Sequence, residues 1–225
     1  MTIFDTIIRL LTFKLTREEM LLFRKKHFFA GLLGTWIVGI GRYWDDSGAN
    51  ILQHLGFGSV IYIFVLAGFI WLILKPFQVK DWNYFTVLTF IGLTSFPAIF
   101  YAIPVERFFS ISTANIINVW FLAIVAAWRL SLLFYFLKRF TRLDSGNIVL
   151  VTLLPIFLII SSLTVLNVHR AVFEIMGGVR NPTPHDASYA VLTLLTGISM
   201  VFSLPLLVVY IVVVFEIRRT NRKSK

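Results

Sequence analysis

Cysteine is absent from the 225 residues, which excludes disulfides, thiolate metal sites and cysteine nucleophiles. Charge is scarce as well: 14% of residues are Asp, Glu, Lys or Arg, against roughly a quarter in a globular domain. There is no Gly-x-Ser-x-Gly, no phosphate loop and no His-Glu-x-x-His, and no pair of acids lies inside an apolar stretch. The hydrolase, nucleotide-binding and zinc-protease readings that rest on those motifs have no support. What the chain holds instead is apolar surface: 58% hydrophobic residues, 23 Phe and a mean hydropathy of +0.83. Neither a soluble domain nor a disordered segment has that composition.

The apolar residues fall into six stretches, near 28–44, 55–74, 83–104, 114–137, 148–168 and 189–215. About 20 apolar residues carry a helix across the hydrocarbon core, so the sequence predicts an all-α, polytopic membrane protein with a six-helix transmembrane bundle. Lys and Arg alternate between the connectors. Sixteen sit in the N-terminus, the 75–82 and 138–147 connectors and the tail. Four (Arg42, Arg107, Arg170 and Arg180) occupy the other side, and Arg129 lies within a stretch. Cationic connectors stay in the cytoplasm, which places both termini there and suggests a bacterial inner membrane. The expected organisation is a basic, amphipathic cytoplasmic segment at 1–27, a six-span domain at 28–217 and a basic cytoplasmic tail at 218–225.

Ile3, Phe4, Ile7, Ile8 and Leu11 form one helical stripe with Asp5, Arg9 and Thr12 off it. Too short to span, this helix is expected in the headgroup plane. Interrupted by Asp5, Thr6 and Arg9 and followed by no small-residue cleavage site, it does not read as a cleavable signal. Thr16-Arg17-Glu18-Glu19 has the form of a capping box. Arg24, Lys25 and Lys26 are assigned to anionic lipid on the cytoplasmic face. No aromatic-interleaved basic groove points to nucleic acid.

Gly31, Thr35 and Gly39 recur every four residues in the first stretch, with Gly34 beside them. Small residues at that spacing let helices approach closely, here within the chain or across an oligomer seam. Arg129 lies roughly 12 Å from the cytoplasmic end of its stretch, where a charge costs about 2.5–3.5 kcal/mol. Two readings stand: snorkelling beside Trp128, or contact with an anion or lipid phosphate. Pro155 and Pro205 lie at similar depth and free the Val151 and Val201 carbonyls as acceptors for it. Pro97 interrupts the third stretch beside Thr94 and Ser95. Ser95-Phe96-Pro97 and Ser203-Leu204-Pro205 match in the two halves of the chain, the pattern of a transporter built from inverted repeats; simple kinks are the other reading. Thr94, Ser95, Asn115, Asn118, Ser161, Ser162, Asn167 and Thr196 serve interhelical hydrogen bonds or line a polar pocket.

The outer connectors gather Asp45, Asp46, His54, Glu106, His169, Glu174, His185 and Asp186, but at no metal-ligand spacing, so no metal or cofactor is assigned. Arg42 to Asp46 reads as an interfacial belt. Val168, Ala171, Val172, Ile175 and Met176 continue helical spacing until Gly177-Gly178, and Asn181 to Pro184 reads as a rigid turn.

The stretch Phe85 to Pro104 resembles the proline-bearing middle helix of six-span, N-in bacterial proteins of the Yip1 type. The resemblance covers under a tenth of the chain and includes no diagnostic motif, so no family is assigned on it. The leading functional expectation is a non-enzymatic membrane scaffold, assembly factor or regulatory subunit. Its expected contacts are lipid headgroups and either a second copy or another membrane protein. The alternative is a small oligomeric transporter or channel using the Pro-kinked third and sixth spans, with Arg129, Thr94, Ser95, Pro97, Asn118, Pro155 and Pro205 at the substrate or lipid contact. A lipid-modifying enzyme using the outer histidines and acids is the third class.

Overall fold

The computed structural model describes residues 2–41, 51, 55–166 and 187–223, and all regular structure among them is helical. Short polar side chains start most of the helices by accepting the first free backbone N–H groups, a contact worth about 1 kcal/mol. Thr2 caps Ile3–Leu11 (α1), and Thr16 with Glu19 forms a reciprocal capping box on Arg17–Leu21 (α2). Lys25–Gly41 (α3) and Phe57–Leu74 (α4) follow. Asn83 caps Tyr84–Leu93 (α5), Ser110 caps Ile111–Thr141 (α6) and Asp144 caps Ser145–Val165 (α7). Ala187–Lys223 (α8) ends the described chain.

Four helical regions among the described residues are long and apolar enough to cross a membrane: Phe57–Phe77, Ser112–Thr141, Ser145–Val165 and Thr193–Thr220. At 1.5 Å per residue α6 is about 46 Å long and α8 about 55 Å. Both exceed the ~30 Å hydrocarbon core and must tilt or project beyond it.

The third expected span, 83–104, is not one helix. α5 stops after ten residues and Phe96–Ala102 continues as a 3₁₀ helix with Pro97 in its first turn. Pro97 has no N–H to give the Leu93 carbonyl and its ring would press on it. The hydroxyls of Thr94 and Ser95 instead turn back to the Ile91 carbonyl, at 2.9 and 3.3 Å. Pro155 and Pro205, by contrast, lie inside helices that continue past them. The expected turn at Asn181 to Pro184 and the expected helix near 168–176 lie outside the described residues, as do Arg42 to Asp46, His54, Asn167, His169, Glu174, His185 and Asp186.

α5 is the enclosed helix: every residue from Thr86 to Leu93 is buried, as expected of a helix apolar on all sides. On one flank Phe90 stacks on Phe136 of α6, centroids 4.0 Å apart, and Phe140 and Trp82 extend the aromatic cluster. On the other flank α5 meets α3 backbone to backbone. A Cβ on Gly31 would lie 2.8 Å from the Gly92 carbonyl carbon and 2.9 Å from the Leu93 nitrogen. Further along α3, a Cβ on Gly34 would strike the Phe96 ring at 2.7 Å, and one on Gly39 the Gly56 backbone at 2.9 Å. Thr35 lies buried on the same face, its hydroxyl donating to the Gly31 carbonyl at 2.8 Å.

These contacts set apart two kinds of glycine. Gly31→Ala presses a methyl into immovable backbone and should cost about 1–3 kcal/mol, lowering the thermal midpoint in detergent. Gly58→Ala, in α4 with nothing within 4 Å of the added Cβ, should be neutral or stabilise by up to ~1 kcal/mol. Indistinguishable midpoints for the two variants would mean that α3 and α5 do not meet backbone to backbone at Gly31.

Candidate functional site at the basic end

The segment before α3 does more than lie alongside the bundle. Leu10, Leu15 and Met20, one on each part of the α1–turn–α2 path, are fully buried and belong to the main core with Ile70, Leu74, Phe90, Phe136 and Phe140. The turn between α1 and α2 leaves backbone carbonyls unpaired, and α6 supplies their donors. The Trp128 indole donates to Leu11 O at 3.1 Å, and the Tyr135 hydroxyl donates to Leu15 O at 2.8 Å. Seven residues apart, these two side chains share one face of α6. Between them Phe13 sits in the left-handed region, φ 60°, with its ring edge against Tyr135 at 5.6 Å.

Arg17 fastens the other side. Its Nε donates to Phe140 O at 3.2 Å and its Nη2 to Lys80 O at 3.0 Å, with an ion pair to Asp81 at 3.1 Å. The guanidinium also lies over the Phe140 ring, 5.2 Å from its centroid. One planar fork with several donors thereby joins α2, the connector before α5 and the end of α6. Arg9 pairs with Glu19 at 2.9 Å, and the same carboxylate accepts the Thr16 N–H at 2.8 Å. The expected apolar stripe of α1 is split: Ile7 and Leu11 pack on the core, while Phe4 and Ile8 remain 72% and 44% exposed.

Arg24, Lys25 and Lys26 are all exposed at the start of α3. His27, next in sequence, is buried. Its Nδ1 accepts the Arg24 N–H at 3.0 Å, so its neutral ring carries the proton on Nε2, 3.5 Å from the Thr6 hydroxyl oxygen. Thr6 gives its own proton to Thr2 O at 2.9 Å, leaving that oxygen as acceptor. Burial, then the charges of Lys26 and Arg24, lower the His27 pKa from its usual value.

The other singled-out residues do not share a hydrogen-bonded site with this end. Arg129 is half-buried and takes no hydrogen bond or ion pair among the described residues; neither Val151 O nor Val201 O is its acceptor. Thr94, Ser95 and Pro97 are buried at the end of α5, Pro155 is buried in α7, Pro205 is exposed on α8 and Asn118 is half-buried on α6. The small-residue stripe of α3 is occupied within the chain by α5, the 3₁₀ turn and the start of α4. Leu10, Leu15, Met20, Arg17 and His27 carry the N-terminal attachment, a role the sequence assigned to none of them. The five-residue spacing of the first three matches no helical or strand period, so only the capping box marked the region.

The His27 geometry has a pH consequence. Because its folded pKa is lowered, the unfolded chain takes up a proton that the folded site refuses. Stability at this joint is present at neutral pH and is lost as pH falls below about 6.5. Proteolysis of residues 2–24 in the detergent-purified chain should accelerate on acidification. His27→Asn keeps an acceptor for the Arg24 N–H without titrating there, and should flatten that dependence. A wild-type rate that does not change with pH would contradict the assignment.

Comparison with known proteins adds a family. Residues 10–166 match the model of the Yip1 domain, a span that opens at the first fully buried leucine and closes at the end of α7. No curated protein and no solved structure matches the chain at a significant level. Since the family model covers well over half of the sequence, and its apolar helices have the length to cross a bilayer, the chain belongs to the Yip1 domain family of integral membrane proteins.

Proposed function

We propose that this Yip1 family member is a non-enzymatic scaffold, assembly factor or regulatory subunit of a bacterial inner membrane, working through helix packing and contacts with lipid or protein. In this reading the chain crosses six times. α3 and the broken α5–3₁₀ segment add two crossings to the four long apolar helices, and both termini lie in the cytoplasm. The basic end faces anionic headgroups, with α1 lying at that surface through Phe4 and Ile8. The observation that carries the reading is the enclosed α5: Thr86 to Leu93 are all buried, and Phe90 stacks on Phe136 of α6 at 4.0 Å. Contacts are then left to the outer surface. α8 offers a large share of it, exposing Leu194, Val201, Leu204, Val208 and Phe215 along its length.

The absence of native cysteine makes labelling clean. Lys14→Cys and Thr220→Cys should react with an impermeant maleimide only from the cytoplasmic side, and Ser112→Cys only from the other. Labelling of the first two from opposite sides would overturn the topology. Purified in mild detergent, the chain should run at a multiple of 25.9 kDa or retain a stoichiometric membrane-protein companion. A lone monomer would end the scaffold reading.

A specific observation favours a transporter as the second reading. Thr152, Ser161, Thr196 and Ser199, on α7 and α8, have buried hydroxyls without hydrogen-bond partners among the described residues. Each is a polar group whose desolvation is uncompensated. With Arg129 on neighbouring α6, which takes no partner among the described residues, they are the side chains an anion path would use. Arg129→Ala should then abolish anion flux in reconstituted vesicles at normal expression; unchanged flux would remove Arg129 from any such path.

A further inference from the structure

The two faces of α3 are committed to different neighbours. Gly31, Gly34 and Thr35 turn inward, and the opposite face carries Lys25, Phe29, Leu32, Leu33 and Trp36, at i, i+4, i+7, i+8 and i+11. That is a single helical stripe with a cation at its head and Lys26 on its border. Where α4 runs antiparallel beside it, Phe57 and Val60 complete a groove of about 390 Å³ with Phe29, Leu32, Leu33 and Trp36. A groove of that size suits a small ligand, and its lining is carbon almost throughout. The polar side-chain atom among these residues, the Trp36 indole nitrogen, already donates to Leu55 O at 2.7 Å.

We infer that this groove is a binding site for an anionic phospholipid of the surrounding membrane, with an acyl chain lying against Phe29, Leu33, Trp36, Phe57 and Val60 and the phosphate held by Lys25 and Lys26. The apolar lining and the absence of a spare donor fit a hydrocarbon chain and no polar solute. Both lysines are exposed, and Lys25 takes no partner among the described residues. Phe29 stands one turn and Trp36 three turns beyond Lys25, roughly 16 Å along α3, so the charged and apolar parts of the site follow the order of headgroup and tail. The groove keeps its shape because Gly39 packs on the Gly56 backbone at one end and the Phe28 and Phe64 rings meet at 6.3 Å further along. The inference rests on the proposal that the basic end meets anionic lipid, but not on which side of the membrane that end faces.

Trp36 lines the groove and serves as the reporter, because brominated acyl chains quench an indole they touch. The full chain is reconstituted into phosphatidylcholine vesicles doped with brominated phosphatidylglycerol or, separately, brominated phosphatidylcholine. The Trp36 signal is the difference between wild type and Trp36→Phe. Two lysines beside a phosphate favour an anionic over a zwitterionic headgroup roughly tenfold or more, so the brominated anionic lipid should quench Trp36 at a correspondingly lower fraction. Lys25→Gln with Lys26→Gln, exposed positions that leave the core untouched, should bring the two lipids level. Val60→Trp, filling the groove, should abolish preferential quenching while the lysines remain. Equal quenching of the wild type by both lipids would reduce the groove to ordinary annular contact and overturn the site. A Trp36 that neither lipid quenches, in a chain that cross-links as a dimer, would assign the groove to a second copy and overturn it equally. Vesicles of one composition in both leaflets make the result independent of topology, so failure here and failure of the cysteine-labelling test are separate findings.

Discussion

Where α3 crosses α5, the helices meet backbone to backbone, and the Thr35 hydroxyl one turn on reaches both Gly31 O and Gly92 O, at 2.8 and 3.5 Å. Gly31 and Gly92 bring the backbones together, and in a lipid environment such contact must do what the hydrophobic effect does in water, since acyl chains solvate Leu as well as another Leu would. Dispersion falls off steeply with distance, so helices joined this way need their atoms close over a long stretch. The stripe from Gly31 to Gly39 provides that against α5, the 3₁₀ turn and the start of α4 in succession. With one face of α3 fixed inward, its rotation is fixed too. His27 is thereby presented to Thr6, and Lys25 and Trp36 are turned outward along the α4 seam.

The basic end obeys a different solvent. There the N-terminal segment buries Leu10, Leu15 and Met20 completely, each burial worth about 1.5–3 kcal/mol where water is the alternative. Those leucines and the methionine come from a path only partly helical, so the turn must find donors for its carbonyls. Trp128 and Tyr135 meet the need with side chains that have an apolar body and a polar tip. Arg17 does the same for Phe140 O and Lys80 O. Aromatic side chains donating to carbonyls recur elsewhere, at Trp82 to Trp71, Tyr84 to Phe64 and Tyr210 to Ile73. The result is a segment tied to three parts of the bundle by contacts that mutation of any single charge would only thin.

Local features were legible in the sequence and distant pairings were not. Thr16 and Glu19 sit three residues apart, and the capping box they form needs nothing from the rest of the chain. The break at Pro97 is likewise local, although its outcome, a 3₁₀ continuation in place of a kinked α-helix, depends on Thr94 and Ser95 taking one carbonyl. The glycine stripe announced a close approach but could not name Gly92, sixty-one positions from Gly31, because helix contact between distant segments leaves no period in either. Apolar spacing pointed to a helix at α1, and Ile3–Leu11 is helical; that a protein core would take Ile7 and Leu11 from its apolar face was invisible. Arg129 was conspicuous for its charge, yet the carbonyls freed by Pro155 and Pro205 do not reach it, since depth along a helix says nothing of rotation about it.

The limits of the family match divide the molecule in a way that bears on α8. Residues 10–166 hold the enclosed α5, the aromatic cluster and the N-terminal attachment, and these contacts close on themselves through α7. α8 lies beyond the match and packs chiefly along α7, with Tyr210 reaching Ile73 of α4 at 2.8 Å. Its buried side includes Ser199 and Ser203, while residues from Leu194 to Phe215 stay exposed on the other. A helix held on one side by a hydroxyl-bearing seam has fewer close contacts to lose on separating than α5 has. Ser199 and Ser161 have no hydroxyl partner among the described residues, so the seam lacks the compensation that the Thr35 hydroxyl finds at Gly31 O. The α7–α8 seam therefore holds by apolar packing, Phe157 against Phe202 and Leu206, Leu207 and Val213 against the main core, more than by its hydroxyls.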